Sequence, residues 1–443
     1  LIELRIDGTD HQPGGITPEE TGEFIQMVED DITSVHVTCG IYEESVKSGT
    51  ESSMFHPHGL NAEAAAIVKS YTKLPVGVVG GINSPEFCEE IIEKGMVDFV
   101  ILGRQMLADP EFTKKCMEGS GDQSRRCLRC YKCFPGTPEE GYEDLPFASE
   151  ELALYVGHCT INPLAHLPFD PESLPVPEKA KKVLIICGDA SGMQAAITAC
   201  DRGHQVTLVE KNDCLGGTLL FTDYGHKDDL KQLKDYYIRQ VNKRGIHVLY
   251  DTEANLTLLD RLRPTDIIVA SGSSPRIPDI PGIEYAKHAT AGYYQADTIG
   301  QKVVLIGGGL INCELAVKFA EEGKDITILE LTDIILRDAN MFIKPTIEEI
   351  FRKYASSVHV VKNASTKSIS ADAVTYEDTE CVEHILPADT VLYAIGSIGN
   401  NKVVEELRSW PYWESFSAVG DCTGAGIVKK AIHQGYFAAM DIL

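Results

Sequence analysis

Two segments of this chain repeat one local plan, and that plan leaves few folds open. The first, KKVLIICGDASGMQAAITACDRGHQVTLVEK, reads as an apolar strand, a tight turn, a helix and a second strand that ends on Glu210, with Lys211 beside it. The second, KVVLIGGGLINCELAVKFAEEGKDITILE, reads the same way and ends on Glu330. This is the layout of a dinucleotide-binding fold. Backbone amides at the helix start face a pyrophosphate, and the acid ending the second strand faces ribose hydroxyls. The G-x-G-x-x-G spacing falls on Gly307, Gly309 and Asn312 in the second segment. In the first it falls on Cys187, Asp189 and Gly192, with Gly188 between them. A carboxylate at 189 would meet two phosphates at short range, which like charge disfavours. Asn312 predicts looser packing of its helix on the strand. Glu330 favours a free 2′-hydroxyl, hence NADH over NADPH. Glu210 either binds ribose or is a plain surface acid.

A cysteine group adds a second constraint. Cys127, Cys130 and Cys133 form C-x2-C-x2-C, and Cys159 follows in GHCTINP. Such a triple wraps one corner of a cubane, and a distant fourth thiolate completes the ligation of a [4Fe–4S] cluster. Zinc also accepts four thiolates, but two C-x2-C pairs would be its usual spacing; free thiols are the remaining option. The chain has 13 cysteines, an odd number bunched unlike a secreted disulfide framework, so a reducing, cytoplasmic setting is expected. A formal charge of −26 argues against a nucleic-acid partner. The sequence contains no apolar run long enough to span a membrane. It starts LIELRIDGTD, without Met or a leader pattern, so no signal peptide is expected, while a fragment or processed product is.

Residues 1–115 repeat an apolar run followed by a helix start. The runs are Ile2–Ile6, Ser34–Thr38, Pro75–Gly80 and Val97–Leu102. Thr17-Pro18-Glu19-Glu20 reads as a capping box with Pro at the first helical position. Asn61 is expected to cap AEAAAIVKS, Ser84 opens the next helix and Gly95 ends it. Alternating strands and helices imply a parallel sheet, either half of an eight-stranded barrel or a flavodoxin-like open sheet. Gly80-Gly81-Ile82 and Leu102-Gly103-Arg104 follow consecutive strands. Glycine amides with one arginine there suit a phosphate, as in the last two loops of a barrel.

The segments LRIDGTDHQPGG, HVTCGIYEE, PHGLNAEAAAIVKS, LPVGVVGGINSPE and VDFVILGRQMLADPEF resemble the second half of the Old Yellow Enzyme-like flavin barrel. The nearest branch is the 2,4-dienoyl-CoA reductase, enoate reductase and trimethylamine dehydrogenase group. The resemblance implies FMN, with Arg5 near the flavin ring and Gly80, Gly81, Gly103 and Arg104 at its phosphate. It places Tyr42 where the dienoyl-CoA reductases carry a catalytic His; Tyr is the weaker acid. His56 and His58 can face the same site, and His58 joins Tyr42 as a catalytic candidate. The family's four earlier barrel strands are not in the sequence. The cysteine triple, followed by a Cys before Asn162-Pro163, matches the family's iron–sulfur segment. Leu215-Gly216-Gly217, the strand ending in Gly272, and Phe416-Ser-Ala-Val-Gly-Asp421 resemble the FAD half of disulfide-reductase-like folds. Gly396 leads the chain back into that half.

The expected architecture is α/β. It comprises a C-terminal half barrel (1–118), an iron–sulfur segment and linker (119–180), an FAD-binding Rossmann-like domain (181–285 with 386–443) and an NAD-binding one (286–385). The resemblance implies an NADH-dependent ene-reductase acting on an enoate, dienoyl-CoA or unsaturated cyclic ketone. Electrons would pass from NADH through FAD, the cluster and FMN. The missing barrel half would come from upstream or from a partner chain, and a homo-oligomer is expected on the exposed strand edges. The alternatives are an oxidative amine-dehydrogenase-like enzyme and a split or degenerate electron-transfer chain.

Overall fold

The computed structural model describes residues 1–41, 52–133, 157–165, 167, 173–222, 227–340 and 342–443. Tyr42 lies outside them. The described residues form two compact units: one of 1–133, 157–165 and 340–349, the other of the remainder. Among the described residues no helix is long and apolar enough to cross a membrane.

In the first unit, strands β1 (Glu3–Asp7), β2 (Ser34–Thr38), β3 (Val76–Val78) and β4 (Phe99–Val100) pair in parallel, each beside its neighbour in the sequence. That unbroken order is an arc of a barrel. A flavodoxin-like sheet would place its first strand in the interior and reverse direction there. The strands bury Val35, Val37, Val76 and Val78 against Ile25, Ala65, Val68 and Ile91 of the covering helices. The chain approaches itself closely here: a Cβ on Gly77 would fall 2.2 Å from the Phe99 ring.

The helix starts follow local chemistry. Thr17 and Glu20 form the reciprocal capping box ahead of Pro18–Val28, an arrangement that contributes about 1 kcal/mol. The Ser84 hydroxyl accepts from the Phe87 N–H at 3.1 Å. Asn61 departs from expectation. It sits at the start of Ala62–Lys69 but makes no capping bond; its amide donates instead to the Val79 carbonyl at 2.7 Å. Residues 340–349 also belong to this unit. Phe342 packs on Tyr131 at 4.8 Å between ring centroids, and the Asn340 amide donates to the Cys130 carbonyl at 3.2 Å.

The second unit holds two parallel five-stranded sheets. Lys182–Ile186 is central in one, flanked by Gln205–Val209 and His247–Leu249 on one side, Asp266–Val269 and Ser415–Ala418 on the other. Lys302–Ile306 is central in the other, between Asp325–Leu329 and Thr390–Tyr393. Both central strands are wholly apolar after their first residue and buried on both faces, as parallel sheets require. Ser273–Pro275 pairs antiparallel with Ser397–Gly399, where the chain leaves the first sheet's domain and returns. An antiparallel meander, Ser365–Ile369, Ala373–Glu377 and Glu383–Pro387, accompanies the second sheet.

The two nucleotide-type folds correspond residue by residue. Lys182–Ile186, Ala190–Asp201 and Gln205–Val209 recur as Lys302–Ile306, Leu310–Glu321 and Asp325–Leu329, each 120 positions further on.

Candidate functional site

A cavity of about 550 Å³ opens at the carboxyl ends of β1–β4, where barrel enzymes place their chemistry. Arg5 and Asp7 line it from β1, Thr38 and Cys39 from β2, and the glycine-bearing turns from β3 and β4. The turn after β3 needs glycine. Gly81 has φ +65°, and a Cβ there would lie 2.3 Å from the Ser52 hydroxyl. At Gly103 a Cβ would meet nothing within 4 Å, so its backbone presents an open face. Arg104, in the lining, donates to the Ser52 carbonyl at 2.9 Å and lies 4.7 Å above the Tyr131 ring. Burial pushes the Cys39 thiol up to about 12, so it stands in the wall as a neutral group.

Three lining residues escaped the sequence reading. Asn61, used there only as a cap, lines the cavity and carries a buried Oδ1 without a hydrogen-bond partner. Arg129 lies within the cysteine triple, left-handed at φ 51°, and donates to the His56 carbonyl at 2.6 Å. Gln105 fastens that triple to the barrel, accepting from the Cys127 N–H at 2.8 Å and donating to the Arg125 carbonyl at 2.9 Å. The side-chain signal for each was plain polarity beside a glycine turn or a cysteine. His58 does not line the cavity; its Nδ1 is 2.8 Å from the Gly81 carbonyl, so it holds the wall in place. An orphan acceptor, an open glycine backbone and three arginines, Arg5, Arg104 and Arg129, suit a phosphorylated ligand with N–H and O–H donors, as FMN is.

Cys127 belongs both to the cavity lining and to the thiol set. Burial raises the Cys127 thiol, and the neighbouring Cys130 and Cys159 raise it further, while Arg104 opposes them. Burial likewise pushes Cys133 up to about 12, with Cys130 and Cys159 adding to it. Thr160 Oγ1 lies 3.2 Å from Cys130 Sγ, and the Asn162 amide ties the Cys159 segment to the Leu107 carbonyl at 2.8 Å. Among the described residues no three His, Cys, Asp or Glu side chains converge on one ion. A bound cluster would displace the thiol protons that burial otherwise retains.

In the second unit, the Gly188 N–H donates to Glu210 Oε2 at 2.8 Å, and the Asn212 backbone and side-chain amides donate to Oε1 at 2.9 and 2.7 Å. The second turn repeats this with Gly308 on Glu330 at 2.6 Å and Thr332 in the place of Asn212. Glu210 is only 1 % exposed, which excludes a plain surface acid. Lys211 is exposed. Asp189 starts its helix by accepting from the Gly192 N–H at 2.8 Å. Burial pushes its carboxyl up to about 7, and the charges of Asp421 and Glu210 push the same way. Gly192 needs its lack of a side chain: a Cβ would fall 1.8 Å from the Cys187 carbonyl oxygen. Its counterpart Asn312 corrects the expectation of loose packing. Asn312 is fully buried and its amide donates to the Ile306 and Gly307 carbonyls at 2.9 and 2.8 Å.

Gly217 packs on Asp189, within 2.6 Å of its Cβ once a Cβ is added. Gly272 and Gly396 carry positive φ, and their carbonyls accept from the Asn400 and Arg276 N–H groups. Asp421 accepts from Ser273 Oγ at 3.2 Å and from the Gly426 N–H at 3.0 Å. Around the second turn, Gly307, Gly309, Glu330, Asp338 and Gly396 line a cleft of about 550 Å³.

Residues 181–409 match the family described as pyridine nucleotide-disulphide oxidoreductase, and residues 2–123 match the NADH:flavin oxidoreductase / NADH oxidase family. An NADH oxidase of Thermoanaerobacter brockii is 32% identical over 456 aligned positions, covering 100% of this chain and 66% of the relative. A cinnamate reductase of Clostridium sporogenes is 29% identical, covering 88% of this chain and 56% of the relative. The solved structure of a 2-naphthoyl-CoA reductase with 2-naphthoyl-CoA superposes with a TM-score of 0.87 at 28% identity, covering 99% of this chain and 64% of that one. The chain thus spans 56% to 66% of the length of these relatives. Through residues 181–409 it belongs to the pyridine nucleotide-disulphide oxidoreductase family, and its NADH:flavin oxidoreductase segment makes it a member of the 2,4-dienoyl-CoA reductase-like group.

Proposed function

We propose that this chain is the greater part of an NADH-dependent ene-reductase that reduces a C=C bond conjugated to a carbonyl, in an enoate or an acyl-CoA thioester. The observation that carries this reading is Cys127, shared by the thiol set and the wall of the barrel cavity. The names of the cinnamate and 2-naphthoyl-CoA reductases supply the substrate class. When bound, nicotinamide gives up hydride, [4Fe–4S] passes single electrons and flavins exchange both, which orders the path as NADH, FAD, cluster, FMN, substrate.

The chain's own residues have separable tasks. Cys127, Cys130, Cys133 and Cys159 hold the cluster. Arg5 sets positive charge over the cavity floor, and Gly80, Gly81, Gly103 and Arg104 form the phosphate seat. Tyr42 is assigned the proton for the substrate α-carbon, and His58 positions the Gly81 turn. Gly188, Gly192, Glu210, Gly217, Gly272 and Asp421 serve FAD; Gly307, Gly309, Glu330 and Gly396 serve NADH. β1–β4 are four of the eight strands a closed barrel uses, and we assign the others to the full-length protein or a partner chain. A degenerate FAD seat is the second reading, favoured by Asp189.

Anaerobic cofactor analysis tests both: acid-released flavin resolved into FMN and FAD, with iron per chain. About four irons with both flavins support the full path. Iron with FMN but no FAD moves the assignment to the degenerate reading, and absence of iron sinks the cluster.

A further inference from the structure

The second nucleotide-type turn differs from the first in where its acid comes from. In the first, Asp189 at the second fingerprint position bonds the helix's own Gly192 N–H. In the second, that position is Gly309, and the carboxylate comes from outside the turn: Leu310 donates its N–H to Asp338 Oδ1 at 2.8 Å. A Cβ built on Gly309 would have only the Asp338 carboxylate near it, at 3.6–4.0 Å. The space that glycine leaves for a pyrophosphate is therefore the space beside which Asp338 rests.

The placement is built in. Asp338 ends a loop clamped to the turn: the Leu336 N–H donates to the Gly308 carbonyl at 2.8 Å, and Ile335, Leu336 and Ala339 are buried. Leu336 has φ 55°, where the corresponding residue of the first turn is Gly216 at 128°. A leucine held in left-handed backbone costs about 1 kcal/mol or more, so the clamp outweighs that strain. The side chain itself is exposed, and the bond from Leu310 is the one that holds its carboxylate at the turn. The charged side chains lining the cleft are Glu330 and Asp338, both acidic.

We propose that Asp338 is a resident stand-in for the nucleotide phosphate: it satisfies the Leu310 N–H at rest, and an incoming nicotinamide dinucleotide must displace it. The inference rests on the reading of this cleft as the NADH seat. Asp338 is thus a residue that sets affinity by competing for an anion-binding amide.

The test is calorimetric titration of the full chain with NAD+, which binds without reducing the flavins, at low and at moderate salt. Asp338→Asn keeps the shape and removes the charge. Asp333→Asn removes an equal charge from the same loop away from Leu310. The expected result is binding about two- to fivefold tighter for Asp338→Asn, a gain that shrinks with salt, and no change for Asp333→Asn. Equal or weaker binding by Asp338→Asn, with an unchanged melting profile, overturns the proposal alone. Equal tightening by Asp333→Asn reduces it to a general charge effect and also overturns it. If neither the parent nor either variant binds NAD+, the cleft is not the nicotinamide seat, and both readings fall.

Discussion

Cys187 and Gly307 occupy the same point of two matching turns, and both have positive φ, 83° and 101°. The backbone demand is common to the two folds, yet only Gly307 is glycine. There a Cβ would lie 2.4 Å from the Ala394 carbonyl oxygen, so no side chain fits. The first turn tolerates a thiol in a conformation that favours glycine. Cys187→Gly should therefore raise stability by about 1 kcal/mol, read as a higher midpoint in thermal or urea unfolding. A fall in stability would mean that the thiol's packing outweighs its backbone strain.

Gly192→Ala should do the opposite. Its Cβ would lie 1.8 Å from the Cys187 carbonyl oxygen, a clash with backbone that no rotamer relieves. Loss of at least 3 kcal/mol, or failure to accumulate folded protein, is expected. Asn312→Gly in the second turn should cost less, because it removes two hydrogen bonds without imposing a clash.

Asp189 predicts a pH dependence. Its folded carboxyl is raised from 3.8 to about 7 by burial, then by Asp421 and Glu210. A raised acid binds its proton more tightly in the folded state, so its contribution to stability declines as pH rises from about 4 toward 7 and is lowest above that. FAD retention should fall over the upper part of the same window, by up to about tenfold per pH unit, as the carboxylate charges beside the phosphates. Flavin released on desalting at a series of pH values measures this, and Asp189→Gly should flatten the profile. A flat profile in the parent chain would remove Asp189 as an obstacle.

The thiol set and the cavity should fail together at Cys127. Cys127→Ser is expected to lower iron from about four per chain to near zero and to loosen FMN, because one residue serves both. Cys214→Ser, an exposed thiol elsewhere, should change neither. Iron and FMN measured on the same samples decide it; full iron retention in Cys127→Ser would remove it from the ligand set.

Gly81→Ala combines positive φ with a 2.3 Å approach to Ser52 Oγ. A cost of about 1–3 kcal/mol is expected, with weaker FMN retention. Gly103→Ala faces open space, so it should leave stability nearly unchanged while weakening FMN. That split between two glycines of one site is the informative outcome.

The parallel arc and the two nucleotide-type folds were legible because apolar strands, glycine turns and helix caps are local signals. Asn312 was misread because a motif records which glycine is missing, not which carbonyls a replacement can reach. His58 marks a further limit: proximity in sequence to a catalytic loop does not say what a ring touches, and the Nδ1 of this one lies 2.8 Å from the Gly81 carbonyl. Asn61 shows the limit most plainly. Its cap position is as expected, but its amide finds a better partner at Val79, on the strand turn beside it. Asp338 gave no local signal, since its importance depends on a loop folding back over a distant helix start.

The ring of Phe342 on Tyr131 bears on how this protein can be cut. A sequence-based boundary invites expression of the barrel and cysteine segments as a freestanding module ending near residue 180. Such a module would leave Tyr131, buried to 1 %, without its aromatic cover, and the Cys130 carbonyl without the Asn340 amide. The cysteine segment borrows its lid from a stretch of chain made 210 residues later. Its assembly therefore cannot be completed during synthesis until that stretch has emerged, and modular dissection is the wrong experimental strategy for it.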